Sequence, residues 1–527
     1  MRRLLAAITL VATFATPSAT SAVAGGGGGG GGGHASHELR RYAADTWRSF
    51  TAMVVPATGL PADHIGGKLH QRTRSGYTSP TNIGMYLWAT LAARDLGLIR
   101  ASEATKRIER TLGSVAGLER HAPSGQFFNW YDPVTGAKLT VWPEEPHDPV
   151  YPFASSVDNG WLAAALVMVA NAVPELHDEA MGLATSMNFG CYYDPAAKGG
   201  APVPGLIRGG FWVAGEEPPG SEAFPRGDYC GMGTDVVYTG HHYGAFNTEP
   251  RIASYLGIAF GQIPSEHYFG PWRTFPEGCD YAWTERPPVG AWQSYDVGGS
   301  SIDVYEGAYP YDDQLVVPTW GGSMFEALMV PLVVPEEDWG PQSWGVTHPL
   351  YVESQVEFGL AEAGYGYWGF SPSSNPAGGY REYGVDAIGM EPAGYAADVG
   401  RSTLVDAGWP EPCPRLAVDI VDYGEGVVTP HAAFLALDFD RDAALSNLRQ
   451  LKRDFRGLYG KGGFKDAVNV ATGQVADRYL SLDQGMVIAA IANELLGDRL
   501  QDYLAVTLEP TLAPLMAIEQ FAAGRIE

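Results

Sequence analysis

Residues 480–496 read LSLDQGMVIAAIANELL, and this segment decides the class of fold. Its apolar residues occur on all sides of a helix instead of along one stripe. A helix of this kind is stable only when other elements surround it, so the segment predicts a buried helix with neighbours all round. Asp483 lies inside the apolar run, where an unpaired charge is costly, so we expect it to face a polar cleft or a strong partner.

Further helices are predicted on both sides of this segment. Ser79 and Pro80 supply an N-cap and a first helical residue, apolar residues then recur at helical spacing, and Gly97 provides the stop. Residues 445–455 carry a second clear stripe. Weaker candidates lie near residues 36–55, 102–117, 155–172, 174–188, 248–261, 322–334, 349–363, 429–437 and 500–522. The total of about twelve helices predicts an all-α fold, an (α/α)6 double helical barrel.

Four long connections separate the predicted helices, and all are rich in Gly, Pro, Trp and Tyr. They cover residues 120–153, 190–245, 265–320 and 364–428. Connections of this length are usually functional or carry small strands, so we expect them to form a cleft on one face. No later linker composition divides the chain, which predicts a single domain over residues 36–527.

The N-terminal residues predict export. Residues 1–24 combine two arginines, a short apolar run and the small-residue site Ala22-Val23-Ala24, which are the three parts of a signal peptide. A membrane anchor is the alternative, but the run is shorter than the roughly 20 residues that a span requires. Residues 25–35 contain nine consecutive glycines and are expected to be a flexible tether. We therefore expect a secreted protein without a membrane span.

Charge and cysteine content exclude several classes of function. The chain has 34 Lys+Arg against 60 Asp+Glu and a formal net charge of −26, which excludes a basic nucleic-acid binder. Four cysteines in an exported chain allow two disulfides in three connectivities: Cys191, Cys230, Cys279 and Cys413. No zinc-like spacing is present, and His241-His242 is interpreted as a loop pair. We expect no metal, no cofactor and a monomer.

The mixture of aromatic and polar residues in the loops suits a sugar ligand, because sugar faces stack on aromatic rings and hydroxyls need polar partners. More than half of these aromatics are expected in the core. Hydrolysis of a glycosidic bond needs a carboxylic acid and a second carboxylate. Four acids that lie next to a helix start or within an apolar sequence are candidates: Asp158, Glu249, Asp466 and Asp483. As alternatives, Asp158 and Glu249 could simply stabilise helix N-termini, and Asp483 could form an ion pair with Arg251 or Arg478.

Five segments, in this order, resemble the glycoamylase-like domain family. They are YTSPTNIG (77–84), NTEPRIA (247–253), WGGSMFE (320–326), YWGFS (367–371) and YLSLDQGM (479–486). The resemblance covers roughly residues 40 to 500. That family includes bacterial endo-β-1,2-glucanases and the processing domains of cyclic β-1,2-glucan synthases. The resemblance therefore implies an (α/α)6 barrel and glycoside hydrolase or transglycosylase chemistry.

The resemblance also implies roles for the four acids. Glu249 matches the proposed general acid of the endo-glucanases, and Asp158 and Asp483 match acidic cleft residues, Asp483 on the base side. Asp466 stands where the synthase-like branch has a glutamate. This chain departs from that branch at residues 370–374, which read FSPSS where the synthase-like domains have Ile-Ser-Glu-Ser. Because that glutamate is absent, hydrolysis with inversion is favoured over a retaining mechanism.

The sequence thus predicts a secreted glycoside hydrolase that cleaves a glucan, which we expect to be β-1,2-linked. Expected substrate-binding residues are Trp130, Tyr243, Asn247, Arg251, Trp320, Trp368 and Tyr383. Glu326 is interpreted as an anchor inside a helix. The alternatives are a transglycosylase or glycosidase acting on another polysaccharide, or a non-catalytic glycan-binding protein on the same scaffold.

Overall fold

The computed structural model of the protein describes residues 31–228, 230, 231, 233–274, 288–390, 424 and 426–526. The predicted signal peptide, most of the glycine tether, Cys279 and Cys413 lie outside the described residues. The last tether residues, 31–35, form part of the first helix. Ala35 already packs on the hydrophobic core, so the helix begins before the predicted start at Ser36.

Thirteen α-helices lie in the described part of the chain. They are α1 (Gly31–Met53), α2 (Pro80–Asp95), α3 (Ala101–Gly117), α4 (Ser156–Ala172), α5 (His177–Thr185), α6 (Arg251–Ala259), α7 (Met324–Leu328), α8 (Glu336–Trp339), α9 (Trp344–Glu357), α10 (Pro430–Leu435), α11 (Arg441–Asp454), α12 (Ser481–Leu496) and α13 (Arg499–Met516). Every region predicted to be helical contains one of them, and only the short α8 was not expected.

The helix ends follow from local chemistry. The Ser79 side chain accepts a hydrogen bond from the Asn82 backbone N–H at 3.1 Å, with Pro80 in the first turn of α2, as the N-cap pattern predicts. Pro331 has no backbone N–H to continue a helix, and the predicted helix 322–334 is accordingly divided into α7 and a separate 3-10 turn.

Helices α2, α4, α6, α7, α10 and α12 form a succession of neighbours. Contacts join α2 to α4, α4 to α6, α7 to α10, α10 to α12, and α12 back to α2. The buried helix predicted at 480–496 is α12, and α1, α2, α10 and α13 all pack against it. Glycines allow two of these close approaches, because a Cβ on Gly84 would lie 2.8 Å from the backbone oxygen of Trp161 and one on Gly160 3.1 Å from Ala253.

The connections carry many short strands, so the all-α class is too narrow. The strands are β1 (His64–Gly66), β2 (Arg120–His121), β3 (Gln126–Phe127), β4 (Phe153–Ser155), β5 (Tyr193–Asp194), β6 (Leu206–Arg208), β7 (Gly210–Val213), β8 (Arg226–Gly227), β9 (Val236–Tyr238), β10 (His242–Tyr243), β11 (Val289–Val297), β12 (Ser300–Tyr311), β13 (Gln314–Val316), β14 (Ser373–Ser374), β15 (Tyr380–Arg381), β16 (Val427–Val428), β17 (Tyr459–Gly460), β18 (Gly463–Phe464), β19 (Val468–Asn469), β20 (Arg478–Leu480) and β21 (Gly524–Arg525). Most have two to four residues, in line with the small β elements that were expected.

All pairings between these strands are antiparallel. The two largest sheets have the strand orders β11-β12-β13-β21 and β4-β7-β9-β8. The hairpin β11–β12 pairs Val289 with Ala308 through to Val297 with Ser300. The pair β1–β20 places the loop before β1 beside the start of α12, because His64 lies opposite Leu480.

One large hydrophobic cluster runs through the described residues and includes side chains of all the long helices. Trp88, Trp161 and Trp344 are among its largest fully buried members. None of the helices described here combines the length and the apolar character that a membrane span requires.

Candidate active site

Two adjoining cavities lie where the first turns of the neighbouring helices α2, α4, α6, α7 and α12 converge. The first cavity, of about 460 Å³, is lined by residues that include Thr81, Asp158, Phe325 and Leu482. The second, of about 340 Å³, lies beside β10 and the 3-10 turn at Trp320. Glu249 lines both cavities. A chain of sugars occupying both cavities would therefore place one of its linkages beside this carboxyl group.

Glu249 lies just before α6 and is held from two sides. One carboxyl oxygen accepts a hydrogen bond of 2.8 Å from the indole N–H of Trp161, and its backbone N–H donates to Oε2 of Glu326 at 2.9 Å. Burial, followed by the nearby carboxylates of Glu326 and Asp158, raises the pKa of Glu249 well above its usual range. A carboxyl group that stays protonated near neutral pH can serve as a general acid.

Asp158 lies in the first turn of α4, where the side chain of Ser155 caps the helix. The hydroxyl of Thr81 donates to Oδ1 of Asp158 at 2.6 Å. Burial raises the pKa of Asp158, while the hydroxyls of Thr81 and Ser155 act in the opposite direction. Asp158 also lines the first cavity together with Asp63. Its position is therefore compatible both with stabilising the start of α4 and with contacting a ligand in the cavity.

Asp466 and Asp483 form a buried pair. Their carboxyl groups lie within hydrogen-bonding reach of each other, and the backbone N–H of Ser374 donates to Oδ2 of Asp466 at 2.8 Å. Burial and the charge of Asp483 raise the pKa of Asp466 well above its usual range, and burial raises the pKa of Asp483 to about 7. These directions favour a proton on the carboxyl group of Asp466, facing an ionised Asp483. Neither aspartate lines a cavity directly, since both are 2% exposed.

His431, in the first turn of α10, completes this cluster. Its Nδ1 lies 3.4 Å from Oδ1 of Asp483 and 2.8 Å from Oγ1 of Thr429. The Thr429 hydroxyl donates its proton to the carbonyl of Asp466 at 2.6 Å, so Nδ1 must be the donor to Thr429. Nε2 then accepts from Ser371 at 2.9 Å.

The three side chains, His431, Asp466 and Asp483, are the group within the described residues whose spacing could suit a metal ion. Both ring nitrogens of His431 are already engaged by hydroxyls. Burial lowers the pKa of His431 to about 4, which keeps the imidazole neutral.

Aromatic side chains line both cavities. Tyr77, Trp130 and Trp142 form a triangular cluster at the first cavity, with ring centroids 4.4 to 5.4 Å apart. Tyr243 and Trp320 line the second cavity. The predicted contribution of Trp130, Tyr243 and Trp320 to the site is therefore consistent with their positions, since aromatic faces are good surfaces for sugar rings.

Four other residues that were predicted to bind substrate lie in the interior instead. Asn247 is fully buried and donates to the carbonyl of Val317 at 3.0 Å. The Trp368 and Tyr383 side chains are 2% and 4% exposed. None of these three lines either cavity. Their aromatic or amide character suited a sugar equally well, and only the packing of the chain shows that they lie away from both cavities.

Arg251 is the fourth of these residues. It forms a bidentate ion pair with Glu336, with both nitrogen–oxygen distances at 2.8 Å. It also donates to the carbonyls of Thr248, Glu326 and Ala327. Arg251 thus links helices α7 and α8 with the loop that contains Glu249. The ion pair considered between Arg251 and Asp483 is not formed.

Sequence reasoning did not identify several residues of the site as functional, among them Asp63, His431 and Tyr380. Asp63 accepts a hydrogen bond of 3.0 Å from the side chain of Asn82, and Tyr380 lines the first cavity from the short hairpin β14–β15. Asn82 and its neighbours belong to the YTSPTNIG segment, which marked α2. Asp63 had no such signal because it lies in an irregular loop.

Comparisons with known proteins agree with this geometry. Residues 291–504 match the model of the glycoamylase family, described as "Putative glucoamylase", and residues 41–190 match a family of unknown function, DUF3131. Cyclic β-(1,2)-glucan synthase NdvB of Rhizobium meliloti is 24% identical over 591 aligned positions, which cover 89% of this chain and 18% of the synthase. The chain thus spans less than a fifth of that relative.

Solved structures with the same fold include two glucanases. The endo-β-1,2-glucanase of Chitinophaga pinensis, determined with sophorotriose and glucose, has a TM-score of 0.58 and 15% identity, with 91% of this chain and 98% of that chain covered. The β-1,2-glucanase of Parabacteroides distasonis has a TM-score of 0.62 and 14% identity, with 92% and 60% covered. At these identities the match establishes the fold alone. Residues 291–504 thus match the glycoamylase family model, and the chain shows homology to part of a cyclic β-1,2-glucan synthase, as its sequence motifs predicted.

Proposed function

We propose that the protein hydrolyses a β-1,2-linked glucan with inversion, with Glu249 as general acid and Asp483 as general base. The observation that carries this proposal is a carboxyl group with a strongly raised pKa at the junction of two cavities. Glu249 gives its proton to the glycosidic oxygen as the bond to the anomeric carbon breaks. Water attacks that carbon from the opposite face and loses a proton to the base, so the products are two shorter glucans.

The choice of glucan rests on the relatives. The solved neighbours are named as β-1,2-glucanases, and the homologous synthase is named for the same linkage. Glu249 borders both cavities, which agrees with a polymer that extends on either side of the cleaved bond. The cluster of Tyr77, Trp130 and Trp142 would stack against sugar rings in the first cavity.

Asp483 suits the base because its pKa of about 7 allows it to accept a proton near neutral pH. Apart from Asp466 and the imidazole of His431, its oxygens have no hydrogen-bond donor among the described residues. It lies behind the cavity wall, so the proton would reach it through a water molecule or the neighbouring Tyr380 hydroxyl. Asp158 lines the cavity directly and is the competing candidate.

Two broader features belong to the same proposal. The succession of neighbouring helices from α2 round to α12 supports an (α/α)6 barrel, in which the inner helices begin at the face that holds the site. The signal-like residues 1–24 and the glycines after them support export. Secretion would bring the enzyme into contact with extracellular polysaccharide. We propose that it acts as a monomer.

The experiment is to incubate the purified protein with a panel of defined polysaccharides and measure the release of reducing ends. Release from β-1,2-glucan above that from β-1,3-, β-1,4- and α-1,4-glucans is expected. NMR spectroscopy of the first-formed product should show the α-anomer, since inversion at a β-linkage gives it. Binding of glucans without release of reducing ends would contradict the enzymatic function, and release from another polymer alone would contradict the linkage.

The base is assigned with matched amide variants. Asp483→Asn is expected to abolish turnover and to leave glucan binding intact, whereas Asp158→Asn should retain more activity. The reverse order would transfer the role to Asp158. Glu109→Gln, on the exposed face of α3, is the control for a change of one surface charge.

A further inference from the structure

Glu326, in the first turn of α7, contacts Glu249 more closely than its sequence context suggests. Its Oε2 accepts the hydroxyl of Thr248 at 2.7 Å and the backbone N–H of Glu249 at 2.9 Å. It also lines the second cavity beside Glu249. The anchoring role expected from the sequence is thus present, but the anchor places a second carboxylate against the proposed acid.

From this geometry, and on the basis of the proposed function, we propose that Glu326 is a positioning residue that keeps Glu249 protonated and thereby sets the upper pH limit of catalysis. Two carboxyl groups in one buried site do not both ionise readily, because like charges repel strongly where water is excluded. The carboxyl group that accepts more hydrogen bonds takes the negative charge. The other retains its proton.

The hydrogen bonds indicate which group is charged. One oxygen of Glu326 accepts two donors, a hydroxyl and a backbone N–H, and both favour the ionised form. Glu249 accepts one, from Trp161. The proton therefore resides on Glu249, whose side chain is partly exposed in the cleft and can reach a substrate oxygen.

The charges around the pair strengthen this assignment. The positive charge of Arg251 acts on both Glu249 and Glu326. Its guanidinium is nevertheless bound to Glu336 and to backbone carbonyls and donates to neither carboxyl group. His241 and His242 line the same cavity as the pair, and burial lowers the pKa of both histidines. Within the described residues, the other titratable groups that face the pair are acids. They are Asp158 on α4, Tyr243 on β10, Tyr351 on α9 and Tyr380 on β15.

The test is the pH profile of kcat/KM on β-1,2-glucan for Glu326→Gln. The amide oxygen can still accept from Thr248 and from the Glu249 backbone, so the variant removes the charge and keeps the contacts. Without the neighbouring charge Glu249 loses its proton more easily, and because the acid must be protonated, activity is lost at lower pH. The basic limb should move down by about one pH unit, a tenfold change in acid dissociation.

Thr248→Val is the matched control, because it removes one contact of Glu326 and keeps the charge. A purely structural role for Glu326 would lower kcat in both variants at every pH without moving the basic limb of Glu326→Gln, and this result would overturn the proposal. Glu326→Asp retains the negative charge, so the basic limb of its pH profile should lie closer to that of the wild type than the limb of Glu326→Gln does.

A second measurement does not depend on catalysis. ¹³C NMR of wild-type protein with labelled glutamate, with the Glu249 signal assigned by its loss in Glu249→Gln, should show Glu249 titrating well above the usual glutamate range. Titration at an ordinary pKa would overturn the role of Glu326 even in an active enzyme. If the pKa of Glu249 is raised in the wild type and falls in Glu326→Gln, but the protein hydrolyses no glucan, the effect of Glu326 on the protonation of Glu249 stands and the proposed function is refuted.

Discussion

Replacement of Arg251 by methionine separates a structural role from a substrate-binding one. Methionine fills much of the volume, but it leaves Glu336 fully buried without its cation and removes donors from three carbonyls. Removal of one partner of a buried ion pair typically costs about 3–5 kcal/mol. We therefore expect the free energy of unfolding of Arg251→Met to fall by about that amount, and the loop that carries Glu249 to lose its anchor.

The assay is urea denaturation followed by tryptophan fluorescence, with the slope of the transition compared between variants. Arg499→Met is the control, because Arg499 pairs with Asp502 on the surface, and exposed pairs contribute about 0–1 kcal/mol. Arg251→Met with Glu336→Leu should recover much of the loss, since no charge is then left buried. A loss of stability no larger than that of Arg499→Met, together with a raised KM, would refute the structural reasoning and restore Arg251 as a substrate-binding residue.

Three further predictions concern the helix packing, the proposed acid and the cysteines. Trp161→Phe removes the N–H that favours the ionised form of the acid, so its pKa should rise and the basic limb of the pH profile should move to higher pH; a downward shift would contradict this. Gly84→Ala should lower stability by about 1–3 kcal/mol because its Cβ would meet backbone at 2.8 Å, whereas Gly113→Ala, with open space around it, should be neutral or slightly stabilising. The thiols of Cys191 and Cys230 are hydrogen-bonded neighbours, so peptide mapping of exported protein should find them linked; two reduced thiols there would contradict the expectation that all four cysteines are oxidised.

Much of the helical framework could be predicted because its signals are local. The cap at Ser79 and the continuous apolar run of α12 each depend on residues that are close in sequence. The same holds for Glu249 and Asp483, which lie at helix starts within recognisable motifs. The β11–β12 hairpin also had a local signal, since Gly298-Gly299 provides the left-handed turn residues that hairpins favour, and this signal was not used.

The remaining parts of the site depend on contacts that are distant in sequence. Arg251 resembles a cleft residue until its partner Glu336, 85 positions away, is seen beside it. His431 becomes relevant only when α10 and α12 pack together and bring it to Asp483. Asp63 lies in a loop whose position is fixed by the pairing of β1 with β20. No periodicity or motif carries this information, because it arises from tertiary packing.

The measurement that tests the central claim most directly compares Glu249→Gln with wild type on two substrates. On β-1,2-glucan, whose leaving group needs a proton, turnover should fall by about 10²- to 10⁴-fold while glucan binding survives. The second substrate is a β-1,2-linked glucose oligosaccharide that carries dinitrophenol at its reducing end. Its dinitrophenolate leaving group needs no proton, so the variant should retain most of the wild-type rate. Near wild-type turnover of the glucan by a folded Glu249→Gln protein would contradict the assignment of Glu249 as the general acid.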